Sequence, residues 1–217
     1  MKIYCIGAGG VASYLLPVLK RSIKITDDII IMDGDRLEER NLERQLFRQS
    51  QIGEYKAQAL ADMYGCEAIC SYLTAQTRLT VNVHDDEDDW LFVMVDNHKA
   101  RRLAFQLADD EGFRVLVGAN EYSDAQAYYY SEGLAESDYD PRVRWPEIMT
   151  DDSGDPVSCQ GEEQVAAPQL AIVNMLAAAY MMHLFYFYTE KVHKVDMQYH
   201  PMLHSSNFNQ IRTTLCD

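Results

Sequence analysis

The chain begins with an apolar segment, a glycine-rich run and an amphipathic segment, and this order restricts the fold more than any other feature. Lys2–Ile6 has the composition of a short buried strand, and Val11–Arg21 has the apolar spacing of a helix. Between them, Gly7 permits a tight turn, and Gly9 removes the side chain that would block a phosphate at the helix N-terminus. The pattern predicts a nucleotide on a Rossmann-like sheet; a structural turn without ligand is the alternative.

The apolar pattern after this turn alternates between strands and helices. We predict strands at Ile29–Met32, Ala68–Leu73, Trp90–Val95 and Arg114–Gly118, and helices at Glu54–Tyr64 and Lys99–Asp110. This alternation is typical of the α/β class, in which a mostly parallel sheet carries helices on both faces. Ala125–Tyr130 follows the preceding strand too closely for a helical crossover, so we expect antiparallel strands towards the C-terminus. Ser131–Glu163 lacks clean periodicity and is predicted as a long loop.

Charge and cysteine content exclude several classes of protein. Asp and Glu outnumber Lys and Arg by 34 to 19, a net charge of −15 that repels phosphodiester backbones, so no nucleic-acid binding is expected. The five cysteines are scattered without a CxxC pair, so we expect no zinc site. No basic signal region precedes the first strand, and we therefore expect a cytoplasmic protein.

The segment Val165–Tyr188 is apolar on every face and long enough to span a bilayer. Its interruptions at Pro168, Gln169, Asn174 and His183 are unusual at mid-membrane depth. These residues favour a helix that is buried between a sheet and a partner subunit over a membrane span.

Charged residues follow the second and fourth predicted strands. Asp33 is placed to accept hydrogen bonds from ribose hydroxyls, and Arg44 and Lys56 suit a triphosphate that extends beyond the glycine turn. Asp96 lies at the edge of the sheet where ligands bind, and a carboxylate there can hold Mg²⁺ against phosphates. Taken singly, either cation could be a surface residue, and Asp96 could cap the next helix.

Five elements, in order, resemble the ThiF/HesA/MoeB-type adenylyltransferases, which share their fold with ubiquitin-activating enzymes. They are GAGGVAS at 7–13, MDGDRLEERNLERQLF at 32–47, IGEYKA at 52–57, VDNHKAR at 95–101, and Cys159 ahead of the long apolar helix. The resemblance covers most of residues 1–190. It implies one domain with a nucleotide-binding core at 1–130, a crossover loop at 131–163, and a dimer helix with a C-terminal segment at 164–217.

Carried over by position, the resemblance implies a set of residues for ATP and Mg²⁺. Gly7, Gly9 and Gly10 would line the nucleotide, Asp33 would hold the ribose, and Asn41, Arg44 and Lys56 would hold the triphosphate, with Gln45 as a further nucleotide-binding residue. Asp96 would organise Mg²⁺ and the reacting carboxylate. The catalytic candidates are therefore Arg44, Lys56 and Asp96, together with Cys159.

The implied reaction activates the C-terminal carboxylate of a small ubiquitin-like carrier protein with a Gly-Gly end, giving an acyl-adenylate and pyrophosphate. Cys159 occupies the position of a cysteine that forms a covalent intermediate in some relatives; an ordinary loop cysteine is the alternative. Relatives pair through the long helix, which implies a homodimer. Bacterial relatives often donate an arginine from an N-terminal extension, and here Arg21, Arg48 or Arg101 could replace it.

Two other function classes remain compatible with the sequence. An NAD-dependent oxidoreductase would share the glycine turn and Asp33, but it would leave Arg44, Gln45 and Lys56 unexplained. A non-catalytic scaffold subunit of an activating system would keep the fold without the reaction.

Overall fold

One twisted sheet organises the chain. The computed structural model describes residues 1–25, 27–79, 89–120, 124–150, 170–191, 200–207 and 210–216, with the backbone alone for 190–191 and the last two ranges. Its strands are β1 (Lys2–Ile6), β2 (Asp28–Met32), β3 (Glu67–Ile69), β4 (Trp90–Val93), β5 (Arg114–Asn120), β6 (Ala125–Tyr130), β7 (His200–Asn207) and β8 (Gln210–Cys216). They are ordered β3-β2-β1-β4-β5-β6-β7-β8. The first five strands in this order, β3, β2, β1, β4 and β5, are parallel to one another. The pairs β5–β6, β6–β7 and β7–β8 are antiparallel, and this mixed sheet confirms the predicted fold class.

Helices follow most of the parallel strands. They are α1 (Gly10–Ser22), α2 (Lys56–Tyr64), α3 (His98–Glu111), α4 (Pro141–Arg144), α5 (Glu147–Thr150) and α6 (Ala171–Tyr186), which continues as a π-helical turn over Phe187–Lys191. Short 3-10 turns lie at Glu39–Glu43, Gln49–Gln51 and Glu132–Leu134.

The alternation of side chains along β4 shows how the core divides into two layers. Trp90 and Phe92 pack into a cluster with residues of α1, α2 and α6, whereas Leu91 and Val93 pack into a second cluster with residues of α3 and α5. Successive side chains of a strand point to opposite faces, so both faces of this strand are buried, as in other parallel sheets. The prediction of helices on both faces is confirmed.

Several element boundaries differ from the prediction. β3 ends at Ile69 rather than Leu73, because the last residue of β2, Met32, pairs with Ile69 and leaves the edge strand without a partner beyond it. β4 ends at Val93, so Asp96 lies in the loop before α3 rather than at the strand end. α2 begins at Lys56 rather than Glu54, because Tyr55 has an extended conformation as the N-cap.

The stretch predicted as an irregular loop contains regular structure in its first part. Asp140 accepts a hydrogen bond from the Arg142 backbone N–H, and Pro141 occupies the first turn of α4; both are common helix-start features. The prediction missed α4 and α5 because four-residue helices are too short to show a 3.6-residue period. Cys159 and the rest of the predicted loop, 151–163, lie outside the described residues.

α6 corresponds to the central part of the predicted apolar helix, and 165–169 lie outside the described residues. One side packs against β5, β6 and α1 through Val173, Ala177, Ala178, Met181, Leu184 and Phe185. On the other side, Ile172, Met175 and Tyr186 are 43%, 44% and 50% exposed. Over the described ranges, Ala171–Thr189 is the one helical stretch long and apolar enough to cross a membrane, a property that core helices of soluble proteins share.

Candidate nucleotide-binding site

A cavity of about 850 Å³ opens at the carboxyl edge of β1, β2 and β4. This volume is in the range of small-molecule and cofactor sites, and its position at the carboxyl ends of parallel strands is where α/β sheets bind ligands. The sequence-predicted residues that line it are Gly7, Gly9, Gly10, Asp33, Arg44, Gln45, Lys56 and Asp96. The structure therefore brings residues from four separate sequence segments to one cavity.

The three glycines of the turn have different roles. Gly7 has φ +96°, and a Cβ there would lie 2.6 Å from the carbonyl oxygen of Met94, so no side chain fits. A Cβ on Gly9 would meet no atom within 4 Å, which leaves the backbone open to a ligand. A Cβ on Gly10 would lie 2.3 Å from Nδ2 of Asn174, so Gly10 is required by the packing of α6.

The N-terminus of α1 faces the same cavity. Gly9 provides no side-chain cap, and the first turn of the helix carries no acidic residue. The first-turn N–H groups and the helix dipole therefore favour an anion at this position.

Asp33 connects the end of β2 to the glycine turn. Its Oδ2 accepts a hydrogen bond from the backbone N–H of Ala8 at 2.6 Å, and its Oδ1 accepts one from the N–H of Asp35 at 2.7 Å. Burial raises the pKa of Asp33, while the nearby Lys56 ammonium and the two N–H donors oppose the increase. Each carboxylate oxygen has a second lone pair, so Asp33 can still accept a ribose hydroxyl.

Lys56 is the first residue of α2 and is buried at the cavity wall. Its Nζ forms a 2.8 Å ion pair with Oδ2 of Asp35, and the Tyr72 hydroxyl donates a hydrogen bond to Oδ1 of the same carboxylate. Asp35 and Tyr72 also line the cavity, and sequence reasoning identified neither as a site residue.

Arg44 and Gln45 follow the 3-10 turn at Glu39–Glu43. The carbonyl oxygen of Arg44 accepts a hydrogen bond from Nδ2 of Asn174 at 3.1 Å, which ties this loop to α6. Burial is the main cause of a lowered pKa at Arg44, and Asp96 is close enough to oppose it. Gln45 is 7% exposed, and its Oε1 has no hydrogen-bond partner within the described part of the chain. An unpaired buried acceptor beside a cavity is suited to a ligand donor.

Asn41 does not line the cavity, although the family resemblance implied a triphosphate contact for it. It is 1% exposed, and its Oδ1 accepts a hydrogen bond from the N–H of Glu38 at 2.9 Å. Its carbonyl oxygen accepts hydrogen bonds from the N–H groups of Arg44 and Gln45, at 3.2 and 3.0 Å. In this structure Asn41 shapes the loop that presents Arg44 and Gln45.

Asp96 is exposed at the cavity edge, within electrostatic reach of both Arg44 and Tyr72. Within the described ranges, no group of three or more His, Cys, Asp or Glu side chains is arranged to hold a metal ion. Mg²⁺ in nucleotide sites commonly takes only one or two carboxylates, with phosphates and water as its other ligands. A single exposed carboxylate near Arg44, a phosphate-binding candidate, fits this mode.

Arg101 is the one of the three candidate replacement arginines that lines the cavity; Arg21 and Arg48 do not. Its Nη2 donates a hydrogen bond to the carbonyl oxygen of Val95 at 3.0 Å, and its buried Nε has no partner among the described residues.

Asn174 is a further residue that sequence reasoning left without a role. The one sequence feature that could have identified it is a polar amide side chain within an otherwise apolar helix.

Three comparisons, two of sequence and one of fold, relate this chain to known proteins. The sequence profile of the ThiF family matches residues 1–215, and no curated protein sequence matches the chain significantly. The fold is similar to a crystal structure of PaaA, with a TM-score of 0.67, 16% identity, and coverage of 100% of this chain and 72% of PaaA.

The fold is also similar to two crystal structures of E. coli MccB. The one with ATP has a TM-score of 0.64 and 16% identity, and the alignment covers 100% of this chain and 63% of MccB. The one with MccA has a TM-score of 0.64, 18% identity and the same coverage. This chain therefore spans less than two thirds of MccB. The resemblance noted in the sequence is confirmed by the family match, and the chain belongs to the ThiF family, whose members include the ThiF/MoeB-like adenylyltransferases.

Proposed function

We propose that the protein uses ATP and Mg²⁺ to adenylate the C-terminal carboxylate of a small ubiquitin-like carrier protein with a Gly-Gly end. One observation carries this proposal: a single cavity contains the glycine turn, the cations Arg44 and Lys56, and the carboxylate of Asp96. A turn alone suits any dinucleotide, whereas the two cations suit the β- and γ-phosphates of a triphosphate. MccB, a structural relative, has been solved with ATP and with MccA, which supports a small protein or peptide as the second substrate.

In the proposed reaction, a carboxylate oxygen of the carrier attacks the α-phosphorus of ATP. The bond between the α-phosphorus and the bridging oxygen breaks, and pyrophosphate leaves with the electron pair. The protein contributes mainly positioning and charge neutralisation. Lys56 and Arg44 stabilise negative charge that develops on the α-phosphate and the departing pyrophosphate. Asp96 would hold Mg²⁺, which would supply further neutralisation of the phosphate oxygens.

In a second step, a thiolate attacks the acyl carbon of the adenylate, a thioester bond forms, and AMP leaves with the electron pair of the broken acyl–oxygen bond. We propose Cys159 for this role, with direct transfer from the adenylate to a sulfur donor as the other route. The proposal follows from the position of Cys159 in the sequence, ahead of α6. Carrier incubated with ATP and wild-type protein should form an adduct that an added thiol cleaves and that Cys159→Ser does not form.

Nucleotide choice tests the proposal first. An NAD-dependent oxidoreductase shares the turn and Asp33, so calorimetry with ATP·Mg²⁺ and with NAD⁺ separates the two classes. We expect ATP·Mg²⁺ to bind more tightly. Binding of NAD⁺ without binding of ATP would refute the adenylation proposal.

ATP–pyrophosphate exchange tests catalysis. Exchange that depends on a small protein with a Gly-Gly C-terminus supports an active enzyme. Binding of both ATP and the carrier without exchange would instead identify a scaffold subunit.

A further inference from the structure

Asp35 makes four contacts at the side of the cavity lined by Arg44 and Lys56, which is proposed above for the phosphates and is called the phosphate side. Its backbone N–H donates to Oδ1 of Asp33 at 2.7 Å, and its carbonyl oxygen accepts from the N–H of Lys56 at 2.9 Å. Its carboxylate accepts from Nζ of Lys56 at 2.8 Å and from the Tyr72 hydroxyl. One residue thus joins the predicted ribose ligand, the start of α2, the predicted phosphate lysine and Tyr72.

The Tyr72 ring reaches Asp35 because Gly34 has no side chain. A Cβ on Gly34 would lie 2.7 Å from Cε2 of the ring, and Gly34 does not have a positive φ. The glycine is therefore required for the position of the ring rather than for the conformation of the turn. Burial and the hydrogen bond to Asp35 raise the pKa of Tyr72, so the hydroxyl remains a donor at neutral pH.

We propose that Asp35 and Tyr72 are positioning residues that hold the Lys56 ammonium in place for the phosphates of the bound nucleotide, an inference that rests on the proposed function. A lysine side chain loses considerable rotamer entropy when it is fixed, and prior fixing removes this cost from ligand binding. The carboxylate that fixes Lys56 is itself held on its other oxygen by Tyr72. An ammonium has three N–H donors, so the pair with Asp35 leaves two for phosphate oxygens.

Tyr72→Phe isolates the hydroxyl, because it keeps the ring. We expect it to weaken ATP binding by about three- to tenfold, the range for the loss of one ordinary hydrogen bond, because Tyr72 acts on the nucleotide only through Asp35 and Lys56, and to leave adenosine binding unchanged. Gly34→Ala should reproduce this effect by displacing the ring. Tyr139→Phe, a partly buried tyrosine outside the cavity lining, is the matched control. If Tyr72 acted only through contact of its ring with the base, Tyr72→Phe would leave ATP binding unchanged, and this result overturns the proposal.

A second measurement needs no nucleotide. Competitive acetylation with limiting acetic anhydride reports the reactivity of each lysine, and exposed Lys20 serves as the internal reference. We expect Asp35→Asn and Tyr72→Phe to raise the labelling of Lys56 relative to Lys20 several-fold, and Tyr139→Phe to leave it unchanged. Unchanged Lys56 labelling in both variants overturns the positioning role. A wild-type protein that binds no ATP overturns the proposed function instead, so the two failures are distinguishable.

Discussion

Nδ2 of Asn174 donates a hydrogen bond to the carbonyl oxygen of Arg44 at 3.1 Å, across 130 residues of sequence. Oδ1 of the same amide accepts from Nδ2 of Asn120 at 2.7 Å, and the side chain packs directly on Gly10. The one buried polar side chain identified in α6 therefore contacts the glycine turn, the end of β5 and the loop of Arg44. Through it, the long helix fixes the geometry of the phosphate side of the cavity.

Asn174→Ala should destabilise the protein and weaken ATP binding together. The change leaves the amide of Asn120 and the carbonyl of Arg44 without this partner, at a cost of about 1–3 kcal/mol in the free energy of unfolding. Urea denaturation and ATP titration measure the two effects. Val18→Ala, at a position 50% exposed on α1, should change stability by no more than about 0.5 kcal/mol. An Asn174→Ala protein as stable as wild type would show that the contact carries no stability.

Gly7→Ala and Gly9→Ala should separate folding from binding. At Gly7 the positive φ and the 2.6 Å approach of the Met94 carbonyl oxygen should cost at least about 2 kcal/mol of stability. At Gly9 the new methyl group enters open space, so stability should change by less than about 1 kcal/mol. ATP affinity should nevertheless fall about tenfold or more, since the methyl group occupies the position of a phosphate. Calorimetric ATP binding by Gly9→Ala at wild-type affinity contradicts this assignment.

The sequence predicts contacts between residues that are close along the chain better than contacts between residues that are far apart along it. The turn at Gly7 and the alternating strands follow from local patterns, because the composition of each short segment determines its backbone. The pairing of Tyr72 with Asp35 joins residues 37 apart, and that of Asn174 with Arg44 joins residues 130 apart. A single sequence contains no periodic signal for such contacts.

Asn41 shows a second reason why the sequence alone does not determine which residues form the site. The family resemblance implies a phosphate contact for this residue, and in the structure its Oδ1 accepts a hydrogen bond from the backbone N–H of Glu38. Short polar side chains often cap local backbone, and residue type alone does not distinguish this use from ligand binding.

Lys56→Ala and Asp96→Ala should each reduce carrier-dependent pyrophosphate exchange about a hundredfold or more, equivalent to roughly 3 kcal/mol of transition-state stabilisation. Lys56 would no longer neutralise the phosphates, and Asp96 would no longer hold Mg²⁺. Circular dichroism should show that both variants keep the wild-type fold. Lys20→Ala removes an exposed lysine outside the cavity and should retain full activity. Wild-type exchange rates in either site variant would remove that residue from the mechanism.

Asp140 should make stability depend on acid pH. Burial raises its pKa, but hydrogen bonds from Arg142 and from the Glu136 N–H together lower it further, so the folded-state pKa lies below the ordinary value. The unfolded chain then binds a proton more readily than the folded one. The stabilisation is fully present above the ordinary pKa of about 4 and is lost as the pH falls through the lower folded-state pKa.

Asp140→Asn should therefore cost about 1–3 kcal/mol near pH 7, because its amide N–H₂ would face donors of Arg142 and Glu136. Urea denaturation at a series of pH values should show this difference shrinking below pH about 4. Asp138→Asn, at an exposed position nearby, is the control and should show no such trend. A difference that stays constant down to pH about 2 would contradict the assignment.

The exposed side of α6 should form the centre of a two-fold symmetric homodimer. Ile172, Met175 and Tyr186 are 43%, 44% and 50% exposed, while the opposite side of the helix is covered by the sheet and α1. Apolar side chains on a helix of this length are normally buried, and a second copy would cover them with an interface on the order of 2,000 Å² in total. Because the other side of α6 contacts the Arg44 loop, such a dimer would also hold the phosphate side of the cavity in place.

Light scattering at micromolar concentration should give twice the chain mass for wild type, and Met175→Glu should give a folded monomer. Thr189→Glu, near the end of the helical stretch, is the charge-matched control and should remain dimeric. A soluble, well-folded wild-type monomer contradicts the dimer, and recovery of the protein only in detergent would instead support a membrane helix.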